Sequence, residues 1–234
     1  KQILAGSLFS SNLYFWSQTG YFDSAASQKP LLHLWSLGVE EQFYIIYPLA
    51  IYTVIRFRKR LRESLISIFL ISFFFSIFVS ANSPAMSYYA PFSRAWELAL
   101  GGIASTFTLN TKAASHIFFR LLGILLFSLG LLLVEVQNSY PNITTLMPTL
   151  GTALILSSVT RSDMIGKLLS VRPMVFIGKL SYSLYLWHWP LLSFYVINMG
   201  YPPDRMNKYF LFFLAAALSF VTFKLVEQPS LKFG

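Results

Sequence analysis

Between Leu31 and Pro48 the chain reads LLHLWSLGVEEQFYIIYP, and the polar members of this apolar run are the residues able to do chemistry. They are an imidazole at His33, a hydroxyl at Ser36, two carboxylates at Glu40 and Glu41, and two phenols at Tyr44 and Tyr47. On a helix, His33, Ser36, Glu40, Tyr44 and Tyr47 are spaced by three or four and form one stripe. An ionisable group inside a bilayer costs roughly 3 kcal/mol on insertion scales, so such a stripe reads first as a functional site facing a cavity. His33 and Glu40 are nearly two turns apart, about 10 Å of helical rise, and project in one direction. An imidazole and a carboxylate so arranged can bind and deprotonate a hydroxyl, or relay protons. The same carboxylates can equally anchor a helix by pairing with an arginine of another span.

A second concentration is Ser181-Tyr-Ser-Leu-Tyr-Leu-Trp-His-Trp-Pro190, where Ser181, Tyr185, His188 and Tyr195 share a stripe. Pro190 has no N–H and leaves the Leu186 carbonyl without its helical donor, which suits a kink lining a wet cavity. Trp187 and Trp189 fit an interfacial aromatic belt as well as a site. In Pro91-Phe-Ser-Arg-Ala-Trp-Glu97, Arg94 and Glu97 are three apart and can neutralise each other. Alternatively Arg94 meets Glu40 or an anionic substrate group. The Gly101-Gly102 pair that follows lets another helix approach closely.

These residues must be positioned by membrane helices. Of the 234 residues, 55% are hydrophobic and only 12% charged, about half the charged share of a soluble domain. The length suits one domain over residues 1–234. Runs of the required length, about 17 to 25 residues, are expected near 3–17, 36–55, 64–80, 92–109, 117–136, 146–160, 180–199 and 209–226. The expected fold is therefore all-α, a polytopic membrane helical bundle of about eight transmembrane helices. Arg56-Phe-Arg-Lys-Arg-Leu-Arg62 is the most basic connection. Placing it inside puts fourteen of the 18 Lys and Arg residues on the cytoplasmic side, as the positive-inside rule requires. His33 then stands at the outer mouth of the second span, and Lys167, Arg172 and Lys179 lie inside, where they offer anion binding or only mark topology.

The net charge of +9 is distributed as short runs between apolar stretches, which argues for bilayer orientation and against a nucleic-acid partner. Cysteine is absent, which removes thiolate chemistry and cysteine metal sites. No phosphate-cradling glycine loop, dinucleotide fingerprint, H-E-x-x-H or nucleophile elbow is present, and three scattered histidines suggest no metal site.

His33-Leu-Trp-Ser-Leu-Gly-Val-Glu-Glu-Gln-Phe-Tyr44 resembles the central signature of the acyltransferase-3 family of bacterial membrane O-acyltransferases. Phe92 to Leu98, Ser181 to Pro190 and Val226-Glu-Gln-Pro229 are similar to its next, late-span and closing motifs, in the same order. The lead-in from Gly20-Tyr-Phe-Asp23 to Pro30-Leu-Leu-His33 is similar to members that modify lipopolysaccharide O-antigen or peptidoglycan, many of which carry a fused SGNH esterase-like domain. The resemblance implies transfer of an acetyl group from cytoplasmic acetyl-CoA, a co-substrate, to a sugar hydroxyl of a cell-envelope polysaccharide outside a bacterial inner membrane. It implies catalytic roles for Glu40, His33, Arg94 and His188. It implies a substrate site formed with Trp35, Ser36, Tyr44, Glu97 and Tyr185, and donor phosphates met by Arg172 and Lys179. The family's first-span histidine and its arginine motif are expected upstream of Lys1, about two spans earlier. The rival reading is a transporter or proton-coupled permease using the same polar stripe.

Overall fold

Long runs rich in Leu, Ile and Phe form the long helices, and prolines mark several helix starts. The computed structural model describes residues 1–19, 25–56, 60–106, 113–133, 143–159 and 163–230, which hold helices and turns and no strand. The helices are α1 (Gln2–Ser7), α2 (Ser11–Ser17), α3 (Leu34–Arg56), α4 (Leu61–Asn82), α5 (Pro84–Tyr89) and α6 (Pro91–Thr106). They continue as α7 (Ala113–Leu133), α8 (Ile143–Ser158), α9 (Met164–Leu169), α10 (Arg172–Met199) and α11 (Arg205–Thr222). α11 runs on through a π-helical turn, Phe223–Glu227, into a last helical turn, Gln228–Ser230. The lead-in residues Gly20 to Asp23 lie outside the described residues.

The all-α expectation holds. The first expected span does not form as one helix. It breaks between α1 and α2, where Phe9 takes a positive φ of 51° and the Ser10 N–H returns to the Ala5 carbonyl. A non-glycine residue in that region ends a helix, since its Cβ crowds the following carbonyl. Among the described residues, three helices are both long and apolar enough to cross a membrane: Leu61–Asn82, His116–Leu133 and Arg205–Ser230. α3, with 23 residues, and α10, with 28, also have the length, whereas α6 and α8 have 16 each, just under the usual span of about 17–25. An eight-span count does not follow.

Packing is pairwise. α7 meets α8 through small residues: a Cβ on Gly123 would stand 2.9 Å from the Gly151 carbonyl, and one on Gly151 2.6 Å from the Phe127 nitrogen, so only glycine allows this approach. Arg120 closes the same pair from one end, with an ion pair to Asp163 at 2.9 Å and a hydrogen bond to the Ser158 carbonyl. α4 meets α6 around Trp96, which is fully buried against Phe69 and Phe73. There the Ser72 hydroxyl donates to the Phe92 carbonyl at 2.6 Å and accepts from the Trp96 N–H at 2.9 Å. Those two backbone groups would otherwise close a helical bond, so Ser72 is inserted into the α6 ladder beside Arg94 and Glu97. The expected close approach at Gly101-Gly102 is made by Gly102, where a Cβ would meet the Tyr47 hydroxyl at 2.8 Å.

Candidate active site

α10 holds the segment before α3 by its backbone. Trp189 Nε1 donates to the Lys29 carbonyl at 2.9 Å, and the Ser193 hydroxyl donates to the Ser27 carbonyl at 2.7 Å. These anchors set His33, in the turn leading into α3, against α10. The His33 ring lies 5.1 Å from the Tyr185 ring and 5.6 Å from the His188 ring, centroid to centroid. The Tyr185 hydroxyl donates to the His33 carbonyl and stands 2.7 Å from the Ser36 hydroxyl. A phenol has one proton, so Ser36 is the donor in that second contact. The run Ser36, Tyr185, His33 carbonyl locks α3 to α10.

The two imidazoles differ in environment. His33 is 8% exposed and neither ring nitrogen has a hydrogen-bond partner among the described residues. Burial first, then the neighbouring His188, pull its pKa down to about 4, while the Leu186 carbonyl acts in the opposite direction. That carbonyl is the one Pro190 leaves without a helical donor, and it faces the ring without completing a bond of ordinary geometry. His188 Nδ1 lies 2.7 Å from the Tyr185 carbonyl and 3.3 Å from the Leu184 carbonyl. A carbonyl only accepts, so Nδ1 carries the proton and Nε2 of the neutral ring is the free base. His188 lines a largely apolar cleft of about 530 Å³ between α10 and α11, with Tyr185, Ser181 and Lys208 on its walls.

A second, small cavity of about 50 Å³ is shared by Trp35, Ser36, Glu40, Arg94 and Glu97. Arg94 pairs with Glu97 at 3.0 Å and lies over the Trp35 ring, 5.1 Å from its centroid. The two sequence alternatives for Arg94 therefore coexist: it is partly neutralised by Glu97 and still shares a cavity with Glu40. His33 and Glu40 do not face each other. His33 looks to α10 and Glu40 to α6, and Ser36 belongs to both groups. Tyr44 is 57% exposed and joins neither. Arg172 and Lys179 line a separate groove of about 720 Å³ at the opposite end of α10, with Ser170 and Phe176.

Motif residues passed over by the sequence reading hold this arrangement. Gly38 takes the closest approach of the α1–α2 connection, since a Cβ there would meet Asn12 Oδ1 at 2.9 Å and the Phe9 carbonyl at 3.2 Å. Asn12, fully buried, and Gln42 exchange amide bonds at 3.0 and 3.3 Å. Gln42 also donates to the Phe9 carbonyl and Asn12 to the Tyr89 carbonyl. The glycine and glutamine of G-V-E-E-Q are thus structural, and Glu40 between them is left to the cavity. Glu227 of the closing motif accepts a hydrogen bond from the buried Ser183 at 3.0 Å.

The family model described as "Acyltransferase domain" matches residues 3–226. Similar relatives include O-acetyltransferase OatA of Staphylococcus aureus strains NCTC 8325 / PS 47 and COL. Each is 30% identical over 254 residues, covering 100% of this chain and 42% of the relative. The chain thus spans about two fifths of the length of the curated relatives it matches. No solved structure matches.

Proposed function

Since the chain belongs to the acyltransferase-3 family, we propose that the protein carrying it is a membrane O-acetyltransferase acting at the bacterial inner membrane. It transfers an acetyl group from cytoplasmic acetyl-CoA to a hydroxyl of a cell-envelope polysaccharide such as O-antigen. The observation that carries this reading is the meeting of two family motifs distant in sequence: His33 of the first and His188 of the third, 5.6 Å apart between rings.

In this mechanism His188 Nε2 takes the proton of the acceptor hydroxyl as its oxygen attacks the thioester carbonyl. The C–O bond forms, the C–S bond breaks, and CoA leaves as the thiol once the proton is returned. The Nδ1–H, held by two backbone carbonyls, keeps the ring in the tautomer the step needs. Trp35, Ser36 and Glu40 bind and orient the acceptor at the outer end, with Glu97, while Arg94 supplies positive charge toward the developing oxyanion. Tyr185 contributes by holding His33 in place. Tyr44, exposed on α3, has no part in this mechanism.

On the donor side, Arg172 and Lys179 receive the CoA phosphates. Lys179 is nine residues from His188 on one helix, a rise of about 14 Å, so α10 links the donor groove to the reacting centre. A fused SGNH-type domain and contacts with membrane lipid complete the proposed assembly.

The test uses vesicles containing the complete protein, with acetyl-CoA on one side and envelope polysaccharide on the other. Release of CoA with acetylation of the polysaccharide supports the reading. Passage of an intact solute without CoA release would establish the transporter in its place.

A further inference from the structure

The end of α11 departs from α-helical geometry at a point where it touches α10. Across Phe223–Glu227 the chain makes a π-turn, in which the Gln228 N–H bonds to the Phe223 carbonyl five residues back. Such turns accommodate one extra residue in an α-helix and are frequent at functional sites. Two side-chain bonds flank this one. Trp187 Nε1 donates to the Thr222 hydroxyl at 2.9 Å, and the Ser183 hydroxyl donates to a Glu227 carboxylate oxygen at 3.0 Å.

The spacings explain the turn. Ser183 and Trp187 are four apart and share a face of α10. Their partners, Thr222 and Glu227, are five apart. On an α-helix five residues sweep about 500°, leaving the second roughly 140° off the face of the first. The π-turn removes that offset, bringing Glu227 onto the same side as Thr222 and into contact with Ser183, which is fully buried. Lys224 is the turn's cation and lies over Phe220 instead of beside Glu227.

We propose that Glu227 is a positioning residue for the acyl transfer, carried to α10 by the π-turn. It fixes the rotation of the helix segment that presents Tyr185 to Ser36 and His188 to His33. The role follows from what Ser183 precedes: Tyr185 is two residues on and His188 five, on a helix whose other flank is locked to α3. Releasing the Ser183 bond frees that segment to rotate and moves the His188 ring. The proposal rests on the acyl-transfer reading.

Two measurements on the complete protein test it. The first follows incorporation of labelled acetate from acetyl-CoA into envelope polysaccharide, normalised to membrane-inserted protein. Glu227→Ala and Ser183→Ala should each lower kcat on the order of 10- to 100-fold, the loss expected when a reacting group is misplaced by about 1 Å. The KM for acetyl-CoA should be unchanged, and the double variant no worse than either single one. Glu227→Gln, which still offers Ser183 an acceptor oxygen, should recover most of the rate. The second measurement needs no activity. This chain has no cysteine; with any cysteine elsewhere in the complete protein replaced by serine, Glu41→Cys with Tyr182→Cys, residues of α3 and α10 within electrostatic reach of each other, reports the α3–α10 alignment through a short dithiol cross-linker. Cross-linking should be lost with Ala at 227 and retained with Gln. Full activity in Glu227→Ala, a Gln variant as inactive as the Ala variant, or cross-linking indifferent to residue 227 would each overturn the proposal. A wild-type protein that transfers no acetate would instead refute the acyl-transfer reading, and the cross-linking arm would still decide the role of Glu227.

Discussion

Replacing Gly38 by alanine tests whether the signature glycine is there for close approach. The added Cβ would lie 2.9 Å from Asn12 Oδ1, 3.2 Å from the Phe9 carbonyl and 3.4 Å from the Ser11 nitrogen. None of these can easily retreat. Asn12 is fully buried and held by Gln42 and the Tyr89 carbonyl, and Phe9 sits at a positive φ that closes the α1–α2 connection. Overpacking of this kind costs about 1–3 kcal/mol. It is reinforced where a buried amide loses a partner, at about 1–3 kcal/mol per unsatisfied group. Gly101 is the control, because a Cβ there meets nothing within 4 Å. Gly101→Ala should be neutral or stabilising by about 0.5–1 kcal/mol through helix propensity alone. Thermal unfolding of the two variants in one detergent reads the difference: Gly38→Ala falls by several degrees and Gly101→Ala does not. Equal midpoints, or a larger loss in Gly101→Ala, would refute the reasoning.

Asn12→Ala strips the amide hydrogen bonds to Gln42 and to the Tyr89 carbonyl from a buried site and should destabilise by about 2–5 kcal/mol, read as a lowered unfolding midpoint. Ser72→Ala should cost only about 1 kcal/mol, because the Phe92 carbonyl and Trp96 N–H it separates can then bond to each other; a loss above about 3 kcal/mol would contradict that account. Tyr185→Phe removes both hydroxyl contacts between α3 and α10 and should lower kcat at least about tenfold with a stability loss near 1 kcal/mol. His33 stays neutral in the folded protein down to about pH 4, while the unfolded chain takes up its proton near 6.5. Stability contributed by the neutral ring is therefore full above pH 6.5 and lost as pH falls toward 4. His33→Gln should flatten the acid dependence in that window, and an unchanged profile would argue against a buried neutral imidazole.

Much of the fold was legible because apolar length and the absence of strand patterning leave few alternatives, and because the motif residues are rare in such runs. The break at Phe9 was not, since the stretch 3–17 carries no proline or glycine at the point where the helix ends. In the site, the His188 stripe was legible, since Ser181, Tyr185 and His188 line one cleft, yet helical spacing alone could not tell which neighbour each face would meet. It therefore aligned His33 with Glu40, whereas a short turn before α3 directs His33 to α10 and leaves Glu40 facing α6. Tyr44 shared the stripe by periodicity but is exposed, although Tyr47, three residues on, reaches Gly102 of α6. The contact of Glu227 with Ser183 was not legible because a π-turn has no sequence signal; only the contact partners, four apart on one helix and five on the other, reveal it.

The central claim is that His188, its Nδ1 held by the Leu184 and Tyr185 carbonyls so that Nε2 is the nitrogen able to take a proton, is the base this chain supplies. The most direct test is acetate transfer from acetyl-CoA to envelope polysaccharide by the complete protein carrying His188→Gln. Normal membrane insertion is expected, with transfer reduced by a factor on the order of 10²–10⁴, the share usual for a general base. Transfer at the wild-type rate in a properly inserted His188→Gln protein would contradict the claim.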